Sequence, residues 1–389
     1  MKDVSNRIVI VGNTLQNTVG LVRSLGESGL LVDLILEPCR RSQCFVRFSK
    51  YLKKIYFQKE NEDVVRVLLD EFATEGLKTI VLCGSDSAIS LLDKNYDRLK
   101  DHFYTFNASD CQGRINFFLD KCNVFPLALQ CGLDLIKTWQ VRRGNVPDDI
   151  CFPCFVKGRN SVLSSKADIK VCKDRATLEN FLRPGISYLV QEYIQKEYEI
   201  NINGLSINHG KHVFLPGVVF KIRESLMRQG EYMRLDDVGT YEDLNVGGIQ
   251  KLLELIGYEG LFSIEFLKRG TKYYFLEINL RNDGLNYIYT AAGANLPLIW
   301  VYYASGLLGD INEKRVRVDT PFYLMHENDM YNIIEGHVSF FRWVRDFRRS
   351  QAFFLMNARD PLPFMYSTWI HFKQLMKKLI RQVFRIRIP

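Results

Sequence analysis

The densest chemistry in this 389-residue chain lies in a stretch that reads GLFSIEFL, a short turn, and then KYYFLEINLRNDG. Side chains alternate between faces along a strand, so Glu277 and Asn279 point the same way. Arg281 continues that face if the strand extends so far. Glu265 joins them only if the turn around Gly270 has an odd number of residues, because odd must then pair with odd across the ladder; an even turn sends it to the opposite face. Two carboxylates, an amide oxygen and a guanidinium on one strand face are costly to bury without a counterion. Hard oxygen ligands of this kind suit Mg²⁺, or Mn²⁺, held between protein and phosphates. The aromatic and aliphatic flanks argue against an ordinary solvated sheet face.

Other segments offer partners for an anion. Lys157 ends the apolar strand FPCFVK, and Lys121 follows Asp120 inside a helix expected from Arg114 to Cys131. The strand LVQEYI, with Gln191, Glu192, Tyr193 and Ile194 at its end, runs out into KEYE, where Glu197 and Glu199 alternate onto one face. A short apolar strand with free backbone groups, followed by an acid, can read an adenine edge and hold ribose hydroxyls. Lys221 and Arg223, in FKIRESLMRQGEYMRL, are either solvated charges or a grip for a γ-phosphate or a carboxylate substrate. His209 and His212 sit in a hairpin turn, NHGKH, which is a poor frame for zinc.

The elements that position these residues fall into regions. From 7 to 110, strands near Ile8–Val11, Leu31–Leu36, Lys54–Phe57, Thr79–Cys83 and Tyr104–Asn107 alternate with helices near 15–25, 61–73 and 86–93, which is the pattern of a parallel doubly wound lobe. The loop after the first strand reads GNTLQN and lacks the later glycines of GxGxxG, which disfavours a dinucleotide site. A β-richer region follows, with strands expected at Cys154–Lys157, Ile169–Cys172, Tyr188–Tyr193, Glu197–Ile207 and Val213–Ile222, a helix near 247–256, and the hairpin Leu261–Leu280.

Taken in order, these segments resemble the ATP-grasp superfamily over roughly residues 7 to 308. The resemblance rests on the pre-ATP lobe, Asp120-Lys121, FPCFVKG, the hinge QEYI, the acid in KEYE, and the paired strands SIEFL and LEINLR. It implies an α/β ATP-grasp fold with an N-terminal Rossmann-like pre-ATP lobe (1–113), a small lid subdomain (114–192), a large subdomain with the metal site (193–320) and a basic helical C-terminal extension (321–389). It further implies that Lys121 and Lys157 contact ATP phosphates, and that Gln191 to Ile194 face adenine. Glu197, or failing it Glu199, would take the ribose, and Glu265, Glu277 and Asn279 would bind Mg²⁺. Arg281 would steady the transferred phosphoryl group or the acyl phosphate, with Lys221 and Arg223 the further candidates beside it.

The tract LRNDGLNYIYTAAGANLP is similar to carboxylate–amine ligases, among them D-aspartate ligase and ATP-grasp proteins of cell-surface polysaccharide loci. The implied reaction activates a carboxylate as an acyl phosphate and couples it to an amine. One departure stands out: the lid after Lys157 reads GRNSVLSSKADIKV, with a single glycine where glycine-rich backbone usually folds over phosphates. A degenerate ATP-binding regulator or scaffold is therefore the alternative reading.

Composition sets outer bounds. A hydrophobic fraction of 47% and a charged fraction of 25% are ordinary for a globular protein, and no run of 18 apolar residues is present. Nine scattered cysteines and a polar N-terminus suggest reduced thiols in the cytoplasm, with Cys151 and Cys154 of CFPC as small hydrophobes. The net charge is +8, yet Phe340 to Pro389 alone holds eleven Lys or Arg against two Asp, so the body is close to neutral. That argues against a general nucleic-acid surface. Residues 368–388 read as a basic amphipathic helix, suited to the inner face of a membrane or to docking on the body or on a second copy in a homodimer.

Overall fold

The computed structural model describes residues 3–14, 16–159, 168–225, 230–309 and 318–384. Strands β1 (Ile8–Gly12), β2 (Val32–Leu36), β3 (Leu52–Phe57), β4 (Thr79–Cys83) and the short β5 (Phe103–Tyr104) form a parallel sheet in the order β3-β2-β1-β4-β5. Strands β1, β2 and β4 are buried at every position, which is why they read as continuous Val, Ile and Leu rather than alternating. Helices Gln16–Gly26, Glu62–Phe72 and Asp86–Lys94 alternate with them.

The single strand expected over Tyr104–Asn107 is two. β5 closes the first sheet, and β6 (Asn107–Ala108) belongs to a different one. The single helix expected from Arg114 is also broken, into Arg114–Phe118 and Lys121–Gln130. The cause is local: Asp120 caps the second helix, its carboxylate accepting the Cys122 N–H at 3.0 Å. Lys121 therefore opens a helix instead of lying inside one.

Next come β7 (Asp134–Leu135), β8 (Thr138–Arg142), β9 (Cys154–Gly158), β10 (Lys170–Cys172) and β11 (Ser187–Glu192). The last four make an antiparallel sheet in the order β10-β9-β11-β8, with its own small core of Val141, Val156, Leu178, Tyr188 and Val190. The large sheet is built from β12 (Tyr198–Ile207), β13 (His212–Phe214), β14 (Val218–Glu224), β15 (Gly230–Asp236), β16 (Tyr258–Arg269), β17 (Lys272–Asn279), β18 (Phe322–Met325) and β19 (Ala352–Phe353), joined by β6 and β7. Where one strand was expected over Val213–Ile222, two occur, and β15 was not foreseen.

The first lobe and the large sheet share one core: Val9, Leu34 and Leu82 belong to the same packed cluster as Leu261, Ile264 and Phe275. The C-terminal helices Phe340–Arg349 and Leu362–Phe384 follow. Among the described residues, no helix is long and apolar enough to cross a membrane.

Candidate functional site

The β16–β17 hairpin turns in two residues, Gly270 and Thr271, with Gly270 supplying the positive φ of 59°. An even turn was expected to send Glu265 to the far face. It does so only as far as Phe266, which pairs with Phe275; a bulge at Leu276 then shifts the register, so that Glu265 pairs with Glu277 and Ser263 with Asn279. The bulge restores the parity that the turn breaks, and the two carboxylates end as a cross-strand pair.

Neighbouring strands extend this polar face. Asn201 on β12 is the partner of Glu265, and its Nδ2 donates to Glu265 Oε1 at 3.4 Å. Two residues away, Glu199 accepts from Lys221 of β14 at 2.9 Å and from Lys196 at 3.0 Å. Lys221 also lies 3.6 Å from Glu265. From the opposite side, Lys121 Nζ approaches Glu277 at 3.4 Å, and Lys157 Nζ donates to the Leu276 carbonyl at 3.3 Å.

Burial opposes charge throughout this cluster. It pushes Lys157 down to about 8, helped by Lys121 and resisted by Glu277 and Glu265. For Glu277 burial raises the pKa, but Lys121, Lys157 and Arg281 outweigh it and hold the carboxyl at about 2. Glu265 is drawn down by Lys221, yet burial and the nearby Glu277, Asp283 and Glu199 leave it raised. The two opposed carboxylates thus stand between lysines, with Lys121 beside Glu277 and Lys221 beside Glu265.

Lys157, Glu199, Lys221, Glu265 and Glu277 line a cleft of about 240 Å³ between the small antiparallel sheet and the large one. Ile136, Phe155, Ile169, Leu267 and Leu276 give it apolar walls, and Gln191 to Ile194 form one rim. Gln191 commits its side-chain amide to Thr138 Oγ1 at 3.0 Å. A second cavity, about 270 Å³, shares Lys221 and Glu265 with the first and continues past them to Gln16, Asn17, Asp283 and His326. One cleft thus offers an apolar slot leading to cations and carboxylates, and beyond them a polar chamber.

No protein-family model matches the sequence, and no curated protein matches it; the likeness lies in the structure. An L-amino acid ligase from Bacillus licheniformis superposes with a TM-score of 0.62 at 15% identity, over 82% of this chain and 78% of that one. A purK N5-carboxyaminoimidazole ribonucleotide synthetase bound to ADP gives 0.65 at 10% identity, over 87% of each chain. The biotin carboxylase domain of a Hydrogenobacter thermophilus 2-oxoglutarate carboxylase, carrying MgADP, gives 0.62 at 16% identity, over 83% of this chain and 74% of that one. The chain has the ATP-grasp fold.

Within that fold, the cleft brings together Lys157, Gln191, Glu192, Tyr193, Ile194, Glu199, Lys221, Glu265 and Glu277, with Lys121 reaching Glu277. Other expected residues stand elsewhere. Glu197 does not line the cleft; its carboxylate accepts the Gly270 N–H at 2.8 Å and secures the exposed turn. Arg223 follows a register shift after Lys221 and turns to Asp329 and Asp346, at 2.9 and 2.7 Å, away from the cleft. Arg281 holds Asp86 of the first lobe through Nε and Nη2, at 2.8 and 2.9 Å, instead of pointing into either cavity. Asn279 is buried two pairs along the ladder from Glu277, and its Nδ2 donates to Ser263 Oγ at 3.3 Å.

Of the glycine-poor lid tract GRNSVLSSKADIKV, residues 160–167 lie outside the described residues. Asn201 was missed in the sequence, although Glu199, Asn201 and Asn203 alternate with Ile in EININ and so share a face. Among the described residues no group of three His, Cys, Asp or Glu side chains could hold a metal by itself. Glu265 and Glu277 supply hard oxygen donors, as suits Mg²⁺ shared with phosphates.

Proposed function

We propose that the protein is an ATP- and Mg²⁺-dependent ligase that activates a carboxylate as an acyl phosphate and couples it to an amine, releasing ADP and phosphate. The observation that carries this reading is the buried Glu265–Glu277 pair, ringed by Lys121, Lys157 and Lys221, where an apolar cleft meets a polar chamber. In this reading adenine lies in the apolar slot beside Gln191 to Ile194. Glu199 serves the ribose in place of Glu197, and Lys121 and Lys157 meet the phosphates. Glu265 and Glu277, with Asn279 of the next same-face pair, would hold Mg²⁺ (Mn²⁺ suits the same donors). When bound, the metal supplies charge neutralisation at the phosphates.

A carboxylate alone is a poor acyl donor because oxide would have to leave. Phosphorylation replaces oxide by phosphate, and the work left to the protein is alignment and charge stabilisation. Lys221, shared by both cavities, is suited to the carboxylate under activation. Asp283 is the one carboxylate besides Glu265 among the described residues lining the second cavity, and the attacking amine must give up its proton there. Arg281 and Arg223, tied to Asp86 and to Asp329 and Asp346, are positioning residues in this scheme.

The resemblance to D-aspartate ligase and to proteins of polysaccharide loci points to cell-surface or cell-wall precursors as substrates. Nine free cysteines suit a cytoplasmic setting. The lobe limits proposed are 1–113, 114–192, 193–320 and 321–389.

The test is ADP release across a panel of amino acids, hydroxy acids and uronic acids with candidate amines. Release that requires Mg²⁺ and one carboxylate supports the ligase. Binding of ATP with no ADP from any pair would favour the regulator reading, which the serine-bearing lid sequence raises.

A further inference from the structure

The ligase chemistry uses nothing from the C-terminal helix, and that helix carries an exposed apolar stripe. Leu362, Met365, Trp369, Phe372 and Met376 recur at alternating steps of three and four, and each is at least 40% exposed. This is not the face that holds the helix to the body. Pro363 and Ser367 are buried, Phe364 packs on the main core, and Tyr366 lies tilted against Phe48 with ring centres 4.3 Å apart. The helix has an inner face already in use and a second, outward one. On the latter, Trp369 and Phe372 stack at 6.1 Å, and Lys373 Nζ lies 4.8 Å from the Trp369 ring centre.

We propose that this outward face docks the protein on an anionic lipid surface. Charge decides between occupants. From Pro361 to Pro389 the sequence holds Lys373, Lys377, Lys378, Arg381, Arg385 and Arg387, with no Asp or Glu. A second copy would set cation against cation along the seam, with no acid to pair with them. A leaflet of anionic lipid supplies both acyl chains for the stripe and phosphates for the basic flank.

A second element of the extension repeats the composition. Phe340 and Phe341 are 58% and 84% exposed beside exposed Arg342, Arg345, Arg348 and Arg349, while the inner residues Trp343 and Phe347 pack on a cluster of Tyr232, Tyr323 and Met325. Exposed Met330, Tyr331 and Ile334 follow directly on His326 and Asn328, which line the second cavity. One segment thus runs from the chamber wall to the apolar surface. Surface docking does not depend on the ligase reading and needs no nucleotide.

The experiment is flotation of the full-length protein with phosphatidylcholine vesicles, with and without phosphatidylglycerol. The protein should float only with the anionic vesicles and be released by high salt. Trp369→Ala/Phe372→Ala and Lys373→Gln/Lys377→Gln should each lower partitioning by about tenfold, with the melting temperature and nucleotide binding unchanged. Failure to float with anionic vesicles overturns the proposal. So does equal flotation with neutral ones, or a dimer in sedimentation that Trp369→Ala dissociates while vesicle binding is absent.

Discussion

Burial would raise the pKa of Glu277, but Lys121, Lys157 and Arg281 outweigh it and hold it down to about 2, so the carboxylate and those cations form one unit. Glu277→Gln keeps the shape and removes the charge. ADP formation should fall by at least about 100-fold, while ATP binding measured without a divalent cation should not weaken, since the lysines then lose an internal competitor. Unchanged turnover would remove the metal assignment. Lys157 gives a pH test. Its pKa near 8 in the free protein reflects burial, and bound phosphates would raise it, so binding ATP above pH 8 takes up a proton. Affinity should therefore be flat below pH 8 and fall above it, by up to about tenfold per pH unit. In Lys157→Met the affinity should be lower and that slope absent, which isothermal titration at several pH values would reveal. Much of this cluster was legible in the sequence, because Glu277, Lys157 and Glu199 sit on apolar strands where charge is out of keeping. The exits of Arg223 and Arg281 were not, since their acceptors Asp329, Asp346 and Asp86 lie 106, 123 and 195 residues away.

At the scale of elements, the hairpin shows what periodicity can and cannot say. Alternation within β17 is a property of one strand, so Glu277 and Asn279 followed from the sequence alone. The pairing with Glu265 depends on two strands, a turn and an irregularity, and the Leu276 bulge leaves no composition signal. That bulge sets Leu276 O toward Lys157, so turn and site are separable. Gly270 adopts a φ of 59° with nothing near its missing side chain, so only backbone strain opposes substitution there. Gly270→Val should cost about 1–2 kcal/mol of stability in denaturant unfolding and leave ATP affinity unchanged. A change in affinity would mean that the turn, not the bulge, fixes the register. The split of the helix at Asp120 has a similar lesson. Apolar spacing runs through the break, and only the capping hydrogen bond reveals it.

Across the whole molecule, the C-terminal extension is fastened to the first lobe by a charge that no water reaches. Arg23, on the helix after β1, is fully buried; its Nε donates to Asp360 at 3.2 Å, and its Nη atoms reach the carbonyls of Phe354, Leu355 and Asp360 at 2.7 to 3.0 Å. Asp360 also accepts from Ser49 Oγ at 2.9 Å and the Lys50 N–H at 3.1 Å. In the sequence these two residues look like ordinary surface charges, because nothing local links positions 23 and 360. Arg223, clasped by Asp329 and Asp346, fastens the same extension to the large sheet. Phe354 and His326 line the second cavity, so the fastening also shapes the chamber. Removing Arg23 leaves Asp360 buried with its charge uncompensated, and Arg23→Ala should cost about 3–5 kcal/mol in chemical denaturation. Arg23→Met/Asp360→Leu, which removes both charges, should recover much of that loss if the pair serves only to neutralise itself. If the double variant is no more stable than Arg23→Ala, the carbonyl contacts of Arg23 hold the extension, and its guanidinium acts as a hydrogen-bonding hub more than as an ion.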